Sequence, residues 1–181
     1  MSSVKLIKPS KKYFKQYKEM MDEWNMEGSR IAPWPLHLKY HTQDYFLEML
    51  NRLEEVEKGI NLEGYPASTT YWLYDSERDK IIGASNLRHF LDEAGMKYWG
   101  HIGYGIRPTE RKKGYGTQLL NLTLGKAKDI NLDKVSLGAY EGNTGSWKIM
   151  EKCNAKFEKV VFEDETGLPI KKYRIDLNIK G

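Results

Sequence analysis

Residues 106–120 read IRPTERKKGYGTQLL and join a predicted strand to a predicted amphipathic helix through a short basic loop. The start of a helix leaves backbone N–H groups unpaired and carries the positive end of the helix dipole, so it attracts anions. Gly114 and Gly116 allow the backbone to curl around a phosphate without a side-chain collision. Three basic side chains stand at the same place: Arg111, Lys112 and Lys113. The segment predicts a phosphate-binding site, and the alternative interpretation is a tight turn whose basic side chains lie in water.

Two widespread phosphate-binding motifs do not fit this segment. A P-loop ends in Gly-Lys-Ser/Thr, whereas Gly116 is followed by Thr117 and Gln118. The dinucleotide fingerprint G-x-G-x-x-G needs a third glycine where this chain has Leu119. The segment therefore matches neither nucleotide-binding class.

Hydrophobic spacing over the rest of the chain predicts a mixed α/β fold, with the element order βααβββαβαββ. The predicted strands cover residues 4–8, 69–74, 80–88, 97–106, 134–139, 156–163 and 171–177. The predicted helices cover residues 11–25, 42–58, 115–130 and 144–152. Glycines at 100, 103 and 105 interrupt the strand at 97–106, which usually indicates a bulge or a group pressing on the backbone.

Length and composition predict one folded domain over residues 1–181, because a domain averages about 150 residues. Charged residues make up 30% and hydrophobic residues 40%, which excludes a disordered chain. No run of 18 apolar residues is present, and the N-terminus lacks the apolar centre of a signal peptide. We therefore expect a cytoplasmic protein that does not bind a membrane.

The charged and metal-binding residue types exclude two further classes of partner. The net charge of +4 is spread along the chain without a long basic block, so no nucleic-acid partner is expected. The four histidines lack the spacing of a zinc site, and Cys153 is the single cysteine. We expect no metal, and we interpret Cys153 as a packed thiol.

The segment Arg111-Lys-Lys-Gly114-Tyr-Gly116 resembles the R/Q-x-x-G-x-G/A signature of the GNAT acetyltransferase superfamily. Two further segments stand in register with it. Ile106-Arg-Pro108 is similar to the end of the strand before the family's pyrophosphate loop, and residues 143–152 (NTGSWKIMEK) resemble its N-x-x-S-x-x-x-Y-E-K segment. Residues 100–107 (GHIGYGIR) also resemble an uncharacterised bacterial branch that brings no substrate with it. The resemblance covers nearly the whole chain.

The resemblance implies a central, mostly antiparallel sheet with flanking helices and with fourth and fifth strands that splay apart. It also implies that acetyl-coenzyme A, the acetyl donor, lies between those strands, with its pyrophosphate on the N–H groups of residues 112–117. Asn143 would contact the pantetheine arm, a role compatible with that of a helix N-cap. The implied coenzyme-binding residues are Tyr104, Ile106, Arg111, Lys112, Lys113, Gly114, Tyr115, Gly116, Thr117, Asn143 and Ser146.

The resemblance further implies acetyl transfer by direct attack of an acceptor on the thioester. The acceptor is expected to be an amine, on a small molecule or a peptide, and a homodimer is allowed for. Residues 27–40, which include Trp34, lie where the family has its variable acceptor-binding segment. The alternative interpretation is a non-catalytic sensor or scaffold that binds acetyl-coenzyme A.

Two family positions carry residues that cannot perform the usual chemistry. Met150 replaces the tyrosine acid, and a thioether cannot donate a proton. Tyr140 and Tyr104 are the candidate acids in its place. Gly100 replaces the glutamate base, and His101 beside it is the candidate base, although strand alternation would turn its side chain to the opposite face unless a bulge intervenes.

Overall fold

The structure confirms the predicted mixed α/β architecture. It is a computed structural model, and it describes residues 4–177. The strands are β1 (Val4–Ile7), β2 (Ser68–Asp75), β3 (Lys80–Arg88), β4 (Ile102–Ile106), β5 (Lys134–Tyr140), β6 (Lys156–Phe162) and β7 (Pro169–Asp176). The helices are α1 (Phe14–Glu27), α2 (Gln43–Glu57), α3 (Tyr115–Asp129) and α4 (Thr144–Lys152). None of the described helices is long and apolar enough to span a bilayer.

Local sequence signals set the bounds of the first two helices. Apolar residues of α1 recur at helical spacing and are buried, and the helix ends where Gly28 adopts a left-handed conformation with φ of 70°. The N–H of Gly28 donates to the Trp24 carbonyl at 3.1 Å. At the start of α2 the Thr42 hydroxyl accepts from the Tyr45 N–H at 3.2 Å, so Thr42 is an N-cap.

Helices cover both faces of the β1–β4 sheet. Adjacent residues of a strand point to opposite faces, so each strand contributes side chains to both contacts. On one face, Trp72 and Ile81 pack in a cluster with the buried residues of α1 and α2. On the other face, Leu73 and Ile82 pack against Leu119 of α3. This double coverage explains why β2 and β3 are almost entirely apolar or buried.

Two antiparallel sheets meet at β4 and β5, and this junction positions the site. One sheet has the order β1-β2-β3-β4 and the other β5-β7-β6. Among the described residues, an isolated bridge between Gly100 and Leu137 is the one ladder contact that joins them. Beyond the bridge β4 and β5 separate, which confirms the predicted splay.

The predicted strand over residues 97–106 is wrong in its first half. Gly95–Trp99 forms a π-helical turn, and β4 begins only at Ile102. The turn crosses the backbone of β5 so closely that a Cβ on Gly138 would overlap the Tyr98 carbonyl. Gly100, with φ of 71°, then redirects the chain into β4. Gly138 in β5 and Gly100 just before β4 therefore permit a crossing that strand propensity does not predict.

We expect Gly138→Ala to lower the free energy of unfolding by about 2–3 kcal/mol, because the added methyl must displace the Tyr98 carbonyl. Gly125→Ala is the matched control, since a Cβ at Gly125 in α3 meets nothing within 4 Å. That variant should be more stable than the wild type by about 0.5–1 kcal/mol. Chemical denaturation measures both, and equal stabilities of the two variants would contradict the close crossing.

Candidate functional site

The loop before α3 presents backbone donors to solvent. A single 3₁₀ turn covers Pro108–Glu110, and two residues then adopt left-handed conformations, Lys112 with φ of 60° and Gly114 with φ of 86°. The Gln118 N–H is the first in the helix to find a backbone acceptor, the Gly114 carbonyl at 3.2 Å. Within residues 4–177, the N–H groups of Tyr115, Gly116 and Thr117 form no hydrogen bond. This turn can therefore donate several hydrogen bonds to an anion.

The two glycines of this loop have different surroundings. A Cβ at Gly116 would lie 2.5 Å from Cδ1 of Ile149, so the glycine allows α3 and α4 to pack closely. A Cβ at Gly114 would meet nothing within 4 Å, so the space outside the loop is open. The open side of Gly114 and the unpaired N–H groups together form a cradle for a ligand.

An ion-pair cluster anchors the start of the loop. The buried carboxylate of Glu110 accepts hydrogen bonds from Lys80 Nζ at 2.7 Å, Arg78 Nη1 at 3.0 Å and Lys113 Nζ at 3.2 Å. Burial alone would raise the pKa of Glu110, but these three cations outweigh it and lower the pKa to about 2. The side chain of Lys113 is thus directed at Glu110 rather than at the cradle.

We expect Glu110→Gln to lower the free energy of unfolding by about 2–3 kcal/mol at neutral pH. The pKa of Glu110 lies below its ordinary value of 4.5, so its ionisation stabilises the fold above about pH 4.5. That contribution is lost as the pH falls toward about 2. Denaturation near pH 7 and near pH 3 should therefore give a smaller gap between variant and wild type at the lower pH. The exposed Glu48→Gln is the control, and a gap independent of pH would contradict the role of the cluster.

Arg111 ties the loop to the end of α1. Its Nε donates to the Ile106 carbonyl at 3.0 Å, and its Nη1 pairs with Glu27 at 2.8 Å. Its guanidinium also lies 5.7 Å from the centre of the Trp24 ring. The charge of Arg111 is therefore partly neutralised, and its main effect is to hold the loop in place.

A cavity with a volume of about 550 Å³, termed the large cavity, lies against this loop. Its lining includes residues of β4, the cradle and α4. Five basic side chains line it: Arg30, Arg111, Lys112, Lys148 and Lys152. Neither aspartate nor glutamate is among the described residues of its lining. The cavity therefore favours a ligand with several negative charges.

A second cavity, termed the small cavity, has a volume of about 350 Å³ and lies between the splayed strands. Its lining includes Gly103 of β4 and Gly138 of β5, and the loop before α2 contributes residues 30–34. The two cavities share five lining residues: Arg30, Ala32, Tyr104, Asn143 and Ser146. A molecule in the large cavity is therefore adjacent to one in the small cavity.

Most of the residues predicted to bind the coenzyme line the large cavity. They are Tyr104, Ile106, Arg111, Lys112, Gly114, Gly116, Thr117, Asn143 and Ser146. Lys113 and Tyr115 do not: the Lys113 amine is held by Glu110, and the Tyr115 hydroxyl accepts from Arg78 Nη2 at 3.0 Å. Asn143 is the N-cap of α4, since its side chain accepts from the Ser146 N–H at 3.1 Å.

Tyr104 lies at the junction of the two cavities. Its hydroxyl donates to the Ser146 carbonyl at 2.9 Å and accepts from the Ser146 hydroxyl at 3.1 Å. Burial raises the pKa of Tyr104, although the hydrogen bond from Ser146 opposes the rise. The buried Met150 lies one helical turn beyond Ser146 and also lines the small cavity. The Tyr104 hydroxyl thus reaches α4 one turn before the position at which the family's tyrosine would stand.

The other two predicted catalytic residues have different surroundings. Tyr140 lines the small cavity, and its hydroxyl donates to Glu163 at 2.8 Å. His101 lines neither cavity, because its ring turns toward β5, where Nδ1 accepts from the Ser136 N–H at 3.0 Å. Burial lowers the pKa of His101. The structure brings Tyr104 and Tyr140 together and leaves His101 apart from them.

Several lining residues were not singled out from the sequence. They are Trp24, Arg30, His37, Arg88, Trp99, Lys148 and Lys152. The spacing of Lys148 and Lys152 places both on one face of α4, a signal that was available in the sequence. Arg88 and Trp99 reach the cavity only through the crossing of the π-helical turn over β5. Cys153 is buried, and burial raises the pKa of its thiol to about 11, which agrees with a packed thiol.

The fold and these cavities define a mixed α/β protein with a basic cleft that opens where two strands of its sheets splay apart. The chain belongs to the acetyltransferase (GNAT) domain family, whose sequence profile matches residues 7–156. A sequence comparison with curated proteins found no significant match.

Solved structures share the fold at low sequence identity. A ribosomal-protein-S5-alanine acetyltransferase from Vibrio fischeri is 17% identical with a TM-score of 0.71, covering 97% of this chain and 93% of its own. The microcin C7 self-immunity acetyltransferase in complex with acetyl-CoA and AMP is 16% identical with a TM-score of 0.69, covering 96% and 92%. A spermidine N-acetyltransferase from Vibrio cholerae is 18% identical with a TM-score of 0.65, covering 98% and 95%. The fold of this chain is therefore that of known acetyltransferases.

Proposed function

We propose that this protein transfers an acetyl group from acetyl-coenzyme A to an amine acceptor. The observation that carries the proposal is the pair of adjoining cavities, one basic and bordered by unpaired N–H groups, the other between splayed strands. Acetyl-coenzyme A supplies a reactive thioester and a diphosphate. The chain supplies groups that can bind the diphosphate and groups that can act at the thioester.

The cradle suits a diphosphate in geometry and in charge. The N–H groups of Tyr115, Gly116 and Thr117 donate from the positive end of α3. Lys148 and Lys152 of α4 line the same cavity and add positive charge. These groups would hold the diphosphate and orient the rest of the coenzyme toward β4.

Tyr104 is the group that we assign to protonation of the departing thiolate. It lies where the cavities meet, and its raised pKa keeps the hydroxyl protonated at neutral pH. Met150 cannot serve, because its thioether carries no proton. Tyr140 is less suited to this role, because its hydroxyl donates its proton to Glu163.

His37 is the group that we assign to deprotonation of the amine. An alkyl amine is mostly protonated at neutral pH and must lose a proton before it attacks. His37 lines the small cavity, and its Nε2 lies 3.1 Å from the Ile31 carbonyl. A carbonyl oxygen can only accept, so Nε2 carries the proton and Nδ1 is free to accept one. His101 lacks such a position.

We expect His37→Gln to lower the turnover rate by about 100-fold, because the variant removes the group that accepts the proton of the amine. Affinity for acetyl-coenzyme A should stay unchanged. The control is His41→Gln, which alters an exposed histidine that lines neither cavity. Turnover at the wild-type rate in the His37 variant would remove His37 from the mechanism.

A second candidate function is a non-catalytic sensor or scaffold, which Met150 favours because the usual acid is missing. Incubation with acetyl-coenzyme A and a panel of amines, with thiol release and acetylated product measured, separates the two. Product formation supports the transferase, whereas coenzyme binding without product supports the sensor. Absence of both contradicts the proposed function. A cytoplasmic location, a homodimer and a single-domain chain remain predictions from the sequence.

A further inference from the structure

The small cavity carries positive charge without a compensating acid in its described lining. Arg30 and Arg88 supply that charge, and the rest of the lining consists of His37 with aromatic, aliphatic and small polar residues. Neither aspartate nor glutamate from residues 4–177 is in that lining. A cavity that selects a polycationic acceptor would require carboxylates, so this charge pattern favours a different class of acceptor.

Arg88 is partly buried at the end of β3 and forms no ion pair with a described carboxylate. Its Nη1 donates to the Gly100 carbonyl at 2.9 Å. Burial lowers the pKa of Arg88, and the negative charge of Asp92 opposes that change. The Asp92 carboxylate, however, accepts a hydrogen bond from the Gly95 N–H at 2.8 Å. The guanidinium therefore keeps donors that no acid in the described chain occupies.

Lys172 lies close enough to Arg88 for their charges to interact, and it adds to the local positive potential. Lys172 extends beneath the π-helical turn, where its Nζ donates to the Met96 carbonyl at 3.1 Å. Burial, with a smaller contribution from the charge of Arg88, lowers the pKa of Lys172 to about 8, although Glu158 opposes the change. Burial, again with a smaller contribution from Arg88, also lowers the pKa of His101. The region disfavours additional positive charge and is suited to an anion.

Arg30 faces the cavity from the loop after α1. Its guanidinium lies 4.9 Å from the centre of the Tyr140 ring and 5.8 Å from that of Trp99. The nearby Glu163 accepts from the Tyr140 hydroxyl at 2.8 Å and lies outside the cavity lining. The rings of Tyr140 and Trp99 and a hydrogen bond to the Tyr140 hydroxyl therefore hold Arg30 in place of a carboxylate, and its other donors stay available.

We propose that the small cavity binds an anionic oxygen group, a carboxylate or a phosphate, on the amine acceptor through Arg88 and Arg30. The proposal rests on the proposed function, because it assigns this cavity to the acceptor. Guanidinium groups bind both anions through paired N–H donors, and an anion here would neutralise two cations that the chain leaves without acids. The volume of about 350 Å³ suits a small molecule or the first residues of a peptide.

The test compares amines that differ only in the anion. The three sets are amino acids against their amides, O-phosphoethanolamine against ethanolamine, and the peptide Asp-Ala-amide against Asn-Ala-amide. Calorimetry measures the binding of each to the protein saturated with coenzyme A, and thiol release measures acetyl transfer. The first set reports an α-carboxylate, the second a phosphate and the third a side-chain carboxylate.

We expect the anionic member of at least one set to bind about tenfold more tightly than its neutral partner. Arg30→Gln and Arg88→Gln should each reduce that preference about tenfold. Arg88 lines the small cavity and not the large one, so Arg88→Gln should do so with unchanged affinity for acetyl-coenzyme A. Arg30 is exposed, so its variant tests the proposal even if Arg88→Gln fails to fold. Arg174→Gln, an exposed arginine of β7 outside both cavities, is the control.

Equal or tighter binding of every neutral member overturns the inference, and so does a preference that survives in the Arg30 and folded Arg88 variants. Thiol release with neutral amines alone overturns it while the proposed function stands. Failure to bind acetyl-coenzyme A overturns the proposed function and removes the basis of the inference with it.

Discussion

Gly114→Asp should weaken acetyl-coenzyme A binding by 100-fold or more, whereas Gly114→Asn should weaken it by less than about tenfold. Both side chains tolerate the left-handed conformation that Gly114 adopts, with φ of 86°. They have nearly the same shape, and a Cβ at this position meets nothing within 4 Å. The aspartate differs by one negative charge placed at the cradle, where it repels a diphosphate and occupies the positive end of α3. Calorimetric titration with acetyl-coenzyme A measures both variants.

The design separates loss of binding from loss of folding. Aspartate and asparagine must adopt the same left-handed conformation at this position, so the two variants should unfold at nearly the same midpoint. Affinities of both variants close to that of the wild type would show that no diphosphate lies at the cradle. A large loss in both would instead indicate that the loop requires glycine for its shape.

Tyr104→Phe should reduce the rate of acetyl transfer in a single turnover by 100-fold or more, with little change in the dissociation constant of acetyl-coenzyme A. The variant removes one proton donor and keeps the ring that lines both cavities. Because burial raises the pKa of Tyr104, the hydroxyl is protonated throughout the neutral range. The wild-type rate should therefore show no loss from ionisation of this group below about pH 10.

Tyr173→Phe is the matched control for Tyr104→Phe. Tyr173 is a buried tyrosine whose hydroxyl donates to Glu151 at 2.9 Å, and it lines neither cavity. The two variants should lose similar stability, whereas only Tyr104→Phe should lose transfer rate. A wild-type rate in the Tyr104 variant would show that the thiolate departs without this acid.

The cradle could be predicted from the sequence because its chemistry is local. A strand end, a basic loop with two glycines and a helix start follow one another within residues 106–120, and backbone N–H groups do not depend on distant side chains. The N-cap of α4 at Asn143 was predictable for the same reason. The bounds of β3 were also predicted correctly, at residues 80–88.

The small cavity could not be predicted, because it is assembled from distant segments. Arg30, Arg88 and Trp99 belong to a loop, a strand end and a π-helical turn, and they meet only because that turn crosses β5 at Gly138. The same crossing explains the outcome for His101: the turn delivers its ring to the Ser136 N–H rather than to the space between the strands. The alternation of side chains between the two faces holds only within a regular strand, and His101 precedes the start of β4 at Ile102.

The most direct test of the account is the response of individual backbone amides to acetyl-coenzyme A, followed by ¹H–¹⁵N correlation spectra during a titration. The account predicts that the amide signals of Gly114, Tyr115, Gly116 and Thr117 shift together at the concentration that saturates calorimetric binding. It also predicts that coenzyme lacking the diphosphate, such as acetyl-pantetheine, leaves them in place. Saturable binding of acetyl-coenzyme A that does not move these four signals would contradict the assignment of the cradle and, with it, the proposed orientation of the thioester.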